Sequence, residues 1–519
     1  MTSRRDEKPF DFNDLFILDL ANNHQGDIEH GKRVIREHGA MVARHAVRGV
    51  IKFQFRDLDT FIHPSHLAES DNKHVPRFLG TRLDRDGFQA LLDEVRAQGM
   101  LVACTPFDEV SVGVIEDMGF DIIKVASCSA KDWPLLERIA ASARPVIAST
   151  GGLLQADMDA LVSFLSHRGV DFGLMHCVSV YPTPDWMCHL NNIATMIERF
   201  GGLTVGWSTH EDPDDTMPVG LALAKGARMF ERHVGVPTDS ITLNAYSSNP
   251  DQVDAWIGAW KKARTLLGLE ERQPPSEDET VAIAGLSRGV FAKHDLEIGH
   301  AVSRDDVYFA FPYAAGGLTS GQWRDDVVTT HAIKADATLA LDSISMPERS
   351  DVHVLKQAVH EVKGLLNKAR VELGSEFEVE YSHHYGPGAF RETGVVIVNC
   401  INREYCKKVL IQLAGQGHPF HYHKRKEETF HVLWGELHSE IDGRHRMLQP
   451  GETLLVLPGV WHRFWTDTGC VFEEISTTHY NNDSVYRDPA INSMERSERK
   501  TVVDHWGRFQ LADGAPAAE

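Results

Sequence analysis

Long apolar runs are missing from this chain. Nowhere do about 18 consecutive apolar residues occur, the length a membrane-crossing helix needs. Residues 1–8 are mostly polar and charged and lead straight into the first strand-like run, so neither a membrane span nor a secretory leader is expected. Cysteine is scarce, with seven in 519 residues and no Cys-x-x-Cys spacing. That excludes a disulfide scaffold and suits buried free thiols in a reducing cytosol; Cys104, Cys177 and Cys400 sit in apolar runs. Positive charge is in deficit, 53 Lys and Arg against 74 Asp and Glu, for a formal net charge of -21. Nucleic acid and anionic membrane surfaces are thereby excluded as main partners. A small anionic substrate is not, because local lysines and helix N-termini can hold one. A cytoplasmic protein is expected.

What is there is length and a repeat. A chain of 519 residues exceeds one core, so two to four domains are expected. Through residues 9–268 short apolar runs alternate with helix-like segments: 16–20, 50–53, 101–104, 122–125, 145–148, 173–175, 203–205 and 227–230. This βα alternation predicts an α/β fold, a (β/α)8 TIM barrel, whose working side chains come from the C-terminal strand ends. Polar residues cluster there: Asp19, Asn22, Asn23 and His24, then Lys52 and Gln54, Thr105, Lys124 and Ser127. Ser149 and Thr150, His176 and Ser179, Ser208 and His210, and His233 follow. His210 and His233 end neighbouring strands around a helix-like segment, 217–226, so two imidazoles can meet on one divalent ion. The competing reading is two unrelated polar residues. Residues 56–88 make a long loop over this face, with His63, His66 and His74 read as solvated.

Beyond the barrel, 269–284 reads as a charged linker around Pro274-Pro275. Residues 285–347 form a small β-rich module, and 346–351 a second linker. Residues 352–495 carry an amphipathic helix, 354–373, then many short strands with turns such as Asp442-Gly443 and Pro450-Gly451, an all-β pattern. Residues 514–519 read as a frayed tail. Within the all-β region runs Gly415-x5-His421-x-His423-x4-Glu428-x6-Gly435, followed by Gly451-x6-Pro458-Gly459-x2-His462. Strand residues two apart share a side, so His421 and His423 project together. Glu428 arrives from the next strand and His462 after a tight turn. Three imidazoles and a carboxylate suit a divalent ion such as Mn, Fe, Ni or Zn.

That spacing resembles the cupin superfamily, which implies a β jelly-roll. Its flanks at 381–386, 421–428 and 472–482 resemble the D-lyxose isomerase-like cupins. The barrel segments Ile51-Lys52-Phe53-Gln54, Cys104-Thr105-Pro106-Phe107, Ile123-Lys124-Val125-Ala126-Ser127, Ala148-Ser149-Thr150-Gly151, Gly206-Trp207-Ser208-Thr209-His210 and Glu231-Arg232-His233, together with 17–26 and 175–184, resemble the sialic acid synthase (N-acetylneuraminate synthase) family. The module at 285–347 resembles that family's antifreeze-like (SAF) domain.

The resemblance implies a metal-dependent condensation of phosphoenolpyruvate with an aldose or amino sugar to a 2-keto-3-deoxy sugar acid, by a homodimer. It implies Asp19, Lys52 and Lys124 as catalytic groups. Asn23, Gln54, Thr105, Ser127, Ser149, Ser179, Tyr181 and Ser208 would bind substrate, and His210 and His233 would hold Mn or Mg. His421, His423, Glu428 and His462 would hold the second, cupin metal. The chain departs from the family at four places. Asp19 and Ser129 stand where the family has Glu, Ser179 where it has Asn, and Phe311-Pro312-Tyr313 where an Arg reaches the sugar pocket. Three readings stay open: a synthase with a rebuilt acceptor half, a cupin sugar isomerase with a scaffold barrel, and a carbohydrate-binding protein without turnover.

Overall fold

A computed structural model describes residues 9–346, 351–374, 376–504 and 510–511. The chain divides into two compact units at Pro274–Pro275. The tail at 514–519 and residues 347–350 of the second linker lie outside the described residues.

In the first unit eight parallel strands close into a barrel in sequence order: β1 Leu15–Asp19, β2 Arg48–Phe55, β3 Leu101–Pro106, β4 Ile122–Val125, β5 Val146–Ser149, β6 Phe172–Cys177, β7 Val205–Ser208 and β8 Met229–His233. Helices follow the strands; the first, Ile28–His45, is capped by Asp27, whose carboxylate accepts from the Glu29 and His30 amides. Strand alternation sorts the side chains. Leu15, Ile17, Val50 and Met229 plug the barrel floor, while Phe16, Leu18, Ile51, Phe53 and Phe230 pack outward against helices. Continuing the inward phase by two residues brings Asp19, Lys52 and Glu231 above the plug. Register fixes their level, since Asp19 pairs with Lys52 on one side and His233 on the other.

β7 lies further along the chain than the run 203–205 suggests, because the ladder passes through Gly206. A Cβ there would stand 2.4 Å from Met175 Sδ and 2.6 Å from Met229 Cβ. A glycine that reads as a breaker thus serves close packing. The expected long loop at 56–88 contains the helices Leu58–Phe61 and His74–Gly80, and Arg85 already opens the next helix. His63, His66 and His74 are exposed, as expected. The helix Pro250–Leu267 buries Val253, Trp256, Ile257 and Trp260.

In the second unit the expected linker ends early, because Glu277–Ala284 is a helix. Ser276 caps it and three acids fill its first turn. The small module is β-rich. Strands β9 Gly289–Ala292 and β11 Val307–Ala310 pair; β10 Ala301–Val302, β12 Val327–Thr329 and β13 Ile344–Ser345 form a second sheet. The amphipathic helix runs Asp351–Lys368, ending before 373 because Arg370 takes a left-handed φ of 55°. Val371 and Leu373 keep their apolar contacts without helix.

The remaining strands are β14 Glu378–Ser382, β15 Val395–Asn402, β16 Tyr405–Gln412, β17 His421–His423, β18 Glu428–Gly435, β19 Leu437–Ile441 and β20 Arg444–Leu448. They continue with β21 Thr453–Val456, β22 His462–Trp465, β23 Cys470–Thr477, β24 Ser484–Tyr486, β25 Lys500–Asp504 and β26 Gln510–Leu511. They form two antiparallel sheets, ordered β21-β18-β23-β16-β15-β14-β25-β26 and β20-β19-β22-β17-β24. Phe430, Val432, Phe464 and Phe472 contribute to the core within this fold, and the helix buries Leu355, Val359 and Val362 in another cluster with β14, β15 and β16. The all-β domain therefore extends past 495, because β25 pairs residue by residue with β14.

Candidate functional site

The barrel mouth opens into a cavity of about 1040 Å³. Of the residues predicted there, Asp19, Lys52, Gln54, Thr105, Lys124 and Ser127 line it, as do Ser149, Ser179, Tyr181, Ser208, His210 and His233. Asn23 does not. Its amide donates to the Val234 carbonyl at 2.7 Å and to Ser247 Oγ at 3.1 Å, and Asn22 faces the cavity instead. His176 and Thr150 face elsewhere too, bonded to the Cys188 and Met175 carbonyls.

At the cavity foot lies a residue the sequence reading quoted but gave no role, Glu231. Its carboxylate binds Lys52 through Oε1 and Lys124 through Oε2, the latter at 3.2 Å, and Asp19 holds Lys52 from the other side at 2.9 Å. All four are buried. Burial alone would push the Lys52 ammonium down, but Asp19 and Glu231 together hold it above its ordinary value. Burial would likewise raise Glu231, and the two lysines keep it well below the carboxylate range. Lys124 has fewer negative neighbours, so burial wins and its ammonium is lowered. It donates to Ser149 Oγ at 2.5 Å. The place of Glu231 two residues before His233 puts it on the same inward face, but only the closed barrel brings its two lysine partners to it.

Above the lysines, His210 Nδ1 pairs with the Val178 carbonyl at 2.9 Å, which leaves Nε2 as the free ring nitrogen. Its ring lies 5.4 Å from that of His233, and burial with the neighbouring imidazole pushes its pKa to about 3. Burial lowers His233 too, against the pull of Asp19, and both shifts favour the neutral ring that metal ligation needs. His233 Nδ1 stands 3.4 Å from Asp19 Oδ2. Among the described residues no third His, Cys, Asp or Glu joins this pair as tightly as His421, His423, Glu428 and His462 join one another. An ion there would need substrate oxygens or water to complete its shell.

The second unit holds the denser group. His421, His423, Glu428 and His462 are all buried and bring one ligand atom each within 4.8 Å of the others. Each imidazole is tethered through Nδ1: His421 to the Pro419 carbonyl at 3.0 Å, His462 to the Val460 carbonyl at 3.0 Å, His423 to Ser484 Oγ at 3.2 Å. That turns the Nε2 atoms of His423 and His462 on Glu428, at 3.4 and 2.9 Å. Yet His462 Nε2 and Glu428 Oε1 make no hydrogen bond and are buried. A divalent cation between them would satisfy both buried atoms, so the residues fit the metal. Behind them Lys426 joins Glu428 to Glu474, and Lys408 joins Glu474 to His479.

A NeuB family model matches residues 41–272 and a cupin domain model residues 409–473. A Chromobacterium violaceum protein assigned to spore coat polysaccharide biosynthesis (protein E) has a solved structure that is 45% identical. It superposes with a TM-score of 0.61 over 65% of this chain and 100% of its own. The chain belongs to the NeuB family. Other NeuB relatives include the N,N'-diacetyllegionaminic acid synthase of Legionella pneumophila, 24% identical over 57% of this chain and 85% of its own. Human N-acetylneuraminate-9-phosphate synthase is 26% identical over 65% of this chain and 93% of its own. The cupin follows the NeuB barrel in the same chain. No helix among the described residues is long and apolar enough to cross a membrane.

Proposed function

We propose that the NeuB barrel is a sialic acid-type synthase. It condenses phosphoenolpyruvate with an open-chain aldose or amino sugar to a 2-keto-3-deoxy sugar acid for cell-surface carbohydrate. The observation that carries this is the pair of buried ammoniums, Lys52 and Lys124, fixed on Glu231 at the foot of the cavity beside two neutral imidazoles. Lys124, Ser149 and Ser127 are the donors for the phosphate and carboxylate of phosphoenolpyruvate. Gln54 and Tyr181 contact the sugar, and Asp19 with Lys52 moves the proton at the forming hydroxyl. C3 bonds to the aldehyde carbon, water adds to C2, and the C2–O bond breaks as inorganic phosphate leaves. His210 and His233 would hold Mn or Mg, which when bound polarises the aldehyde as a Lewis acid. The enzyme works as a homodimer, with residues 285–347 as its SAF domain. The test is phosphate release from phosphoenolpyruvate with a panel of aldoses and manganese. Release that needs both an aldose and Lys124 supports the reading; none with any aldose refutes it.

A second reading is favoured by the buried chain from Glu428 through Lys426 to Glu474. It sets a proton carrier beside the group that would hold Mn, Fe, Ni or Zn, as aldose–ketose isomerisation requires. Isomerisation lost in His421→Ala would support it. Sugar binding without turnover in either assay would leave a carbohydrate-binding protein.

A further inference from the structure

The proposed condensation leaves one cation of the barrel mouth unused. Arg56 follows Lys52 and Gln54 in the inward phase at the end of β2 and lines the same cavity. Its guanidinium lies 3.6 Å from the ring centre of Phe107 and 4.1 Å from that of Phe78, with Phe61 at 5.9 Å. No carboxylate pairs with it among the described residues. Asp108 is turned to the amides of Asp57 and Ser111, and Asp19 to Lys52. Its one hydrogen bond reaches Gln54 Oε1 at 3.3 Å, while Nε is buried with no partner. Burial pushes its pKa down to about 10, the mark of a desolvated guanidinium short of negative charge. An arginine kept only for packing would satisfy its donors; aromatic faces use the charge but not the N–H groups.

Position names the ligand. From His233 to Asp19, from Asp19 to Gln54, and from Gln54 to Arg56 run three contacts in series, of 3.4, 3.3 and 3.3 Å. Arg56 therefore holds Gln54 Oε1, while Asp19, beside His233, takes the Nε2 of the same amide. Lys73 and Arg77, also on the cavity wall, make no ion pair among the described residues and add to the positive field. The two acids of the cavity floor, Asp19 and Glu231, are neutralised by lysines.

We propose that Arg56 anchors an oxyanion at the far end of the acceptor, so that the acceptor is an aldose carrying a phosphate or a carboxylate. This rests on the synthase reading of the same cavity. A guanidinium offers either group a two-pronged hydrogen bond.

The test is calorimetric binding of D-mannose, D-mannose 6-phosphate and D-mannuronate to the full-length, manganese-loaded protein, with phosphoenolpyruvate titrated separately. One of the two anions should bind at least about tenfold tighter than mannose. Which one does so tells phosphate from carboxylate. Arg56→Gln should abolish that preference and leave phosphoenolpyruvate affinity unchanged; Arg56→Lys should keep part of it and guards against a misfolded Gln variant. Equal binding of all three sugars, binding of none, or a loss in Arg56→Gln that falls on phosphoenolpyruvate instead overturns the proposal. Because binding is read directly, it survives if phosphate release fails, and it can fail while phosphate release succeeds.

Discussion

Replacing Glu231 by Gln leaves shape nearly intact and removes the one carboxylate that Lys124 touches among the described residues. Lys52 keeps Asp19 at 2.9 Å, so the damage falls on Lys124, whose remaining partner is the Ser149 hydroxyl. Breaking a buried pair by deleting one member costs about 3–5 kcal/mol, because the other charge is left uncompensated. Part of that should return when the orphan is removed as well. The double variant Glu231→Gln with Lys124→Met should recover about 2 kcal/mol or more of the loss. The assay is hydrogen exchange of full-length protein in rising urea, read on peptides covering β4 and β8, which isolates the barrel from the second unit. A Glu231→Gln barrel within about 1 kcal/mol of wild type, or a double variant no better than the single, would refute the claim that Glu231 holds the lysine pair.

Other consequences are as sharp. Gly151→Ala would put a Cβ 2.5 Å from Ser179 Oγ and 2.7 Å from Ser127 Oγ, so the KM for phosphoenolpyruvate should rise about tenfold or more, with little change in Tm. His421→Ala should lose one equivalent of metal by elemental analysis of dialysed protein while the barrel pair keeps its own; His210→Ala should show the reverse. Glu380 is pushed up by burial but held at about 2 by Lys500, Arg496 and Asn399. Its folded pKa is thus depressed. Its contribution is complete above the ordinary carboxylate range and fades as pH falls toward 2. Glu380→Gln should destabilise β14 at neutral pH and converge with wild type near pH 2, by exchange of peptides covering 378–382.

The barrel was legible because each strand is a short apolar run ending in a polar residue, and parallel register turns those endings into one rim. Lys52, Gln54, His210 and His233 could be placed on that rim from their positions at strand ends, while the roles proposed for them come from the family resemblance. The cluster of His421, His423, Glu428 and His462 was legible because two histidines in one strand fix a face. Glu231 was hidden by long-range pairing: its partners are 179 and 107 residues away in sequence, and an acid at a strand end looks solvated until the barrel closes around it. Asn23 misled for the opposite reason, since a turn swings its amide onto Val234. Arg56 carried no motif; only the three surrounding phenylalanines reveal that it is half-buried without a carboxylate partner.

The pairing of β25 with β14 sets an order on synthesis. The first unit can zip shut as soon as residue 233 has left the ribosome, since its last strand hydrogen-bonds its first. The larger sheet of the second must wait for residues 500–504, holding β14 with an open edge while more than a hundred later residues are made. A stalled or nicked chain would therefore carry a finished barrel beside a sticky half-sheet, and clumping of truncated products should trace to the latter.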